Sequence, residues 1–74
     1  MESRAVEIEG VTVARETDRA IMLAWPVEID GETYEQSAWV PKSLIRNVGG
    51  IVPSVGTTGP VVLPDWIARK NDLL

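Results

Sequence analysis

Few residues in this chain have the chemistry for catalysis. The sequence holds no cysteine and no histidine, which removes the thiolate nucleophile, the commonest general base and the softest metal ligands. Carboxylates, hydroxyls and backbone amides remain. A glycosidase-type acid and base pair needs two carboxylates facing one another across a pocket. Here Glu7 and Glu9 alternate with Val6 and Ile8, and the other acids fall at alternating or turn positions, so they read as surface groups. The stretch VGGIVPSVGTTGP (48–60) has glycines that free backbone N–H groups to cradle an anion. It contains neither G-x-x-x-x-G-K-[ST] nor G-x-G-x-x-G, and no long helix follows it. The expectation is no enzymatic activity, no cofactor and no metal site.

Two sets of side chains have instead the chemistry of binding. Met22 and Trp39, with Glu28 and Glu35 nearby, form an apolar anchor beside carboxylates, suited to a protein partner with a basic surface. Tyr34, Trp39, Lys42 and Arg46 form the alternative, in which aromatic rings stack on bases and cations meet phosphates, as in small barrels that bind single strands. The net charge of −4 weighs against the second set, because phosphate binding needs local positive potential.

Which set is assembled depends on register. In RAIMLAWPVEI (19–29) the odd positions Ile21, Leu23, Trp25, Val27 and Ile29 are all apolar, the signature of a strand with one buried face. Asp30-Gly31 supplies the two positive-φ residues of a type I′ turn. Facing residues across that turn then sum to 61, which pairs Trp25 with Gln36, Pro26 with Glu35 and Met22 with Trp39. This register puts Trp25 on the inner face and Trp39 on the outer one. Pro26 lands at a non-hydrogen-bonded pair, where its missing N–H costs the hairpin nothing, so a bulge, break or free edge is expected on the strand's other side.

Elsewhere, Val6 and Ile8 alternate until Gly10 shifts the parity to Val11 and Val13, which predicts a turn or bulge at Gly10 between two strand segments. Pro41 ends the hairpin and KSLI (42–45) suggests one helical turn. The glycine-rich stretch reads as turns and short strand pieces, Val61–Leu63 as a last strand, and PDWIARKN (64–71) as a short helix with Pro64 in its first position. The helix puts Trp66, Ile67 and Lys70 on one face, with Trp66 plugging the open end of the sheet. The expected fold is therefore mainly β, a strongly bent antiparallel sheet or partly open barrel of about five strands, as a single domain over 1–74. Its expected core is Val6, Ile8, Val13, Ile21, Leu23, Trp25, Val27, Tyr34, Val40, Ile45, Val62 and Trp66.

Apolar residues at 45% and charged ones at 24% describe a foldable chain rather than a disordered one. Charge is uneven: residues 1–35 carry nine acids and three bases, 3 − 9 = −6, and residues 36–74 carry two acids and four bases, 4 − 2 = +2. The start MESRAVEIEG lacks the apolar run of a signal peptide and no stretch is long enough to span a bilayer, so a cytoplasmic location and no membrane partner are expected.

The segments AWVPKSLI (38–45) and VVLPDWIARKNDL (61–73) resemble small uncharacterised proteins of phages and prophages, in which a strand ends in Trp-aliphatic-Pro-Lys-Ser-x-Ile and the chain closes with an aliphatic-Pro-acid-Trp-aliphatic-Ala-basic helix. The resemblance implies an accessory protein made in the cytoplasm of a bacterial host and carries no known active site. Phages also encode small acidic proteins that block host defence complexes by binding them, and size and composition here are similar to that group. The expected function is a non-catalytic protein-binding module of that kind, blocking a host defence or nucleic-acid-processing complex.

Overall fold

A computed structural model describes residues 4–73. Four antiparallel strands, β1 (Ala5–Glu16), β2 (Ala20–Ile29), β3 (Glu32–Pro41) and β4 (Thr58–Pro64), form one sheet in the order β3-β2-β1-β4. A six-residue helix, α1 (Asp65–Lys70), follows β4 directly. The mainly β class and the terminal helix are as expected. There are four strands rather than five, because Gly10 is a bulge inside one strand and not a break between two. With φ of +76° it takes the left-handed conformation that costs glycine nothing. Ile8 pairs with Val61 and Val11 with Gly59, so Glu9 and Gly10 together oppose Pro60. The extra residue resets the two-residue period, and Ile8, Val11 and Val13 share one buried face.

The β2–β3 register has every pair summing to 61, from Ile29 with Glu32 to Ala20 with Pro41. Asp30 and Gly31 have φ of 52° and 80°, as a type I′ turn demands. On the far side of β2, pairing with β1 runs only from Ile21 to Ala24, so the ladder stops just before Pro26 as its missing donor requires. A second bulge at Ala14, between Val13 and Arg15, adds twist. Beyond Ala24 the hairpin has no β1 pairing, although Trp25 and Val27 still pack on the core.

The inner face carries the core: Ile8, Val11, Val13, Ile21, Leu23, Trp25, Val40, Val61 and Leu63, covered by Ile45 and by Ile67 and Ala68 of α1. Val6 and Val27 pack at its margin. KSLI forms a 3-10 turn at Lys42–Leu44, as its composition suggests. Five expected core residues are not fully buried: Val6, Val27 and Val62 are half-buried, and Tyr34 and Trp66 are exposed. Tyr34 lies on the inward-facing side of β3 but past the last β1–β2 pair, and is 49% exposed. Val62 is only half-buried because Val61 and Leu63, paired with Ile8 and Val6, take the inward positions. Trp66 does not plug the sheet: α1 turns Ile67 and Ala68 inward and leaves Trp66 46% exposed. Pro64 is the N-cap and last residue of β4, not the first helical residue, with ψ of 142°.

The two edges of the sheet differ. From Pro60 to Pro64 the outward main-chain positions of β4 are Pro60, Val62 and Pro64. The prolines have no N–H, the Val62 N–H donates to Asn47 Oδ1 at 2.8 Å, and the Val62 carbonyl accepts from the Arg46 N–H at 2.7 Å. That edge is closed. Among the described residues, no loop or cap bond of this kind covers the β3 edge from Thr33 to Trp39.

Candidate partner interface

Because β3 pairs with β2 in the register above, the outer face of the hairpin is built in rows. Met22 lies beside Trp39, Ala24 beside Ser37, Pro26 beside Glu35 and Glu28 beside Thr33. β1 extends two rows: Arg15 flanks Met22 and Thr12 flanks Ala24. Trp39 is 48% exposed against 9% for Trp25 on the opposite face of the same hairpin. The glycine-rich segment does not cover Trp39, since its tethers run to the other side of the sheet, from Gly56 to Val13 and from Asn47 to Val62. α1 packs against β1 and β4. Trp39 is therefore a surface aromatic beside a half-buried methionine, a composition found at interface centres.

Next to this pair lies a shallow hollow of about 450 Å³ lined by Thr12, Ala14, Ala24, Pro26, Thr33 and Glu35, and also by Trp25 and Tyr34 at the alternate positions. Small side chains make its floor: Ala24 is buried although it lies on the outer face. Glu35 and Glu28 are exposed along one side and Arg15 stands at the other end. Among the described residues, none of these three makes an ion pair. The face can thus seat an apolar side chain on Trp39 and Met22 and attract a cation toward Glu35.

The predicted set of Met22, Trp39, Glu28 and Glu35 lies on one face. Reading the sequence missed Thr12, Ala14 and Arg15; Arg15 reaches this face only through the bulge at Ala14, which no residue type marks. The alternative set of Tyr34, Trp39, Lys42 and Arg46 is not brought together. Tyr34 and Trp39 stand five positions apart on one strand, on opposite faces. Lys42 Nζ is bound to Glu16 Oε2 at 2.6 Å, and the Arg46 guanidinium folds back onto the carbonyl of Ser43. The Tyr34 hydroxyl donates to Glu32 Oε2 at 2.6 Å, and that bond, with slight desolvation, raises the phenol above its ordinary value of 10.0.

No helix among the described residues is long and apolar enough to cross a membrane. No family model, curated protein or solved structure matches this chain.

Proposed function

We propose that this chain is a non-catalytic protein-binding module, encoded by a phage or other mobile element. It acts in the host cytoplasm, where it binds and blocks a defence or nucleic-acid-processing complex through the outer face of its hairpin. The observation that carries this is Trp39: a large ring, half exposed, on the outer face of the hairpin. Tryptophan and methionine are the residue types enriched at the centres of protein interfaces. Glu28 and Glu35 add a negative margin that speeds encounter with a basic surface. Single-stranded nucleic acid is the less favoured ligand, since its aromatic residues lie on separate faces and Lys42 is already paired.

The test is affinity capture from bacterial host lysate with three baits: wild type, Trp39→Ala and Trp66→Ala. The expected result is a partner retained by wild type and Trp66→Ala and lost by Trp39→Ala. Association with that partner should slow at low salt in the Glu28→Lys/Glu35→Lys chain. Capture that is indifferent to Trp39, or tight salt-sensitive binding of oligonucleotides, defeats the proposal.

A further inference from the structure

The two edges of the sheet are treated oppositely, and this asymmetry carries an inference about how the partner is held. Counting from the Asp30-Gly31 turn, Val27–Tyr34, Trp25–Gln36 and Leu23–Ala38 are hydrogen-bonded pairs, so the main-chain groups of Thr33, Glu35, Ser37 and Trp39 point away from β2. Among the described residues, none of these four has a turn, loop or cap bond. No proline, lysine or bulge interrupts Glu32–Val40, and the charges it does carry, Glu32 and Glu35, oppose pairing with an acidic strand while admitting a basic one. On β4, by contrast, two prolines and Asn47 remove or satisfy every outward donor from Pro60 to Pro64. One edge is protected and the other is left able to pair.

We propose that the β3 edge binds an extended segment of the partner as an added strand. The proposal deepens the outer-face reading above and rests on it. Charge selects the occupant. A second copy, paired antiparallel about Gln36, brings Glu32 and Glu35 of both chains to one seam, and β3 holds no basic residue to offset them. A basic segment has no such conflict. Side chains alternate across an added strand, so its residue beside Trp39 and its residue beside Glu35 share the outer face four positions apart. The residue beside Glu32 falls three further on, on the other face. For an antiparallel segment the recognised pattern is apolar-x-x-x-basic-x-x-basic.

The probe is a nine-residue Thr/Val-rich peptide with Leu at position one and Lys at positions five and eight, compared with a version carrying Glu at five and eight. Amide exchange of the full chain is followed by NMR. The Lys peptide should slow exchange at Thr33, Glu35, Ser37 and Trp39 by about tenfold or more, and the Glu peptide should not bind. Ser37→Pro removes one outward donor without touching the β2 ladder, and should weaken the Lys peptide about tenfold or more. Should that variant unfold, Glu32→Lys/Glu35→Lys serves instead, and must reverse the preference toward the Glu peptide. A Lys peptide that needs Trp39 but leaves the four amides unprotected, or binds Ser37→Pro as well as wild type, overturns strand addition and leaves the outer-face reading standing. Protection that survives Trp39→Ala supports the strand and removes the outer-face anchor. Protection that grows with protein concentration without peptide overturns the choice of partner in favour of a second copy, and absence of peptide binding overturns the proposal outright.

Discussion

Trp25 and Trp39 occupy opposite faces of one hairpin, and replacing each by alanine should give sharply different stabilities. Trp25 is 9% exposed and belongs to the core. A buried tryptophan cut to alanine costs about 3–5 kcal/mol through lost transfer energy and the cavity left behind. A chain of 74 residues has roughly 4–11 kcal/mol of stability in total, so Trp25→Ala should remove a large share of it. Trp39 is half exposed, and its cross-strand neighbour is Met22. Such a pair contributes about 0.2–1 kcal/mol, and the strand preference of tryptophan adds less than about 1. Trp39→Ala should therefore cost about 1 kcal/mol, a fall in melting temperature of about 4–8 °C. Urea denaturation followed by far-UV circular dichroism measures both. A loss of about 3 kcal/mol or more at Trp39, or of 1 or less at Trp25, would refute the assignment of faces.

Three further substitutions test how the site is held. Gly10→Ala places no atom within 4 Å of the new Cβ, so its cost should be the left-handed backbone alone, about 1–2 kcal/mol by thermal melting, with Gly10→Asn milder. Asn47→Ala leaves the part-buried Val62 N–H without its acceptor and should cost about 1–2 kcal/mol, whereas Asn47→Asp keeps the acceptor and should restore most of it. Tyr34 is the single tyrosine, so absorbance titration reads it directly, and Glu32→Gln should bring its raised pKa back toward 10.0. The sign follows from linkage: folding favours the neutral phenol, so this contribution to stability is present below the unfolded value and lost as pH rises through the folded one.

How much of this was legible in the sequence depends on where local rules suffice. The hairpin was readable to the residue, because Asp30-Gly31 fixes both turn type and register, and Pro26 marked where the next ladder stops. Gly10 was readable as a change of parity but not as a bulge within one strand, since turn and bulge leave the same mark. Tyr34 had the right face and the wrong burial. Alternation tells which side a residue is on but not how deeply it is buried, and Tyr34 lies past the last β1–β2 pair. Val62 stood in an unbroken apolar run, Val61–Leu63, where alternation gives no signal. Trp66 failed because the exit of β4 at Pro64 sets the rotation of so short a helix, and that choice favoured Ile67 and Ala68. Arg15 joined the outer face through a bulge that only strand pairing reveals.

The most direct test of the hairpin's outer face as the binding surface is the affinity of the captured partner for wild type, Trp39→Ala and Trp66→Ala, measured by calorimetry on chains shown to be folded. Both substitutions remove a half-exposed tryptophan, so general loss of apolar surface affects them alike. Trp39→Ala should weaken binding by about 2 kcal/mol or more, roughly thirtyfold, and Trp66→Ala should leave it unchanged. Equal losses, or a loss confined to Trp66→Ala, would contradict it and move the interface to the helix.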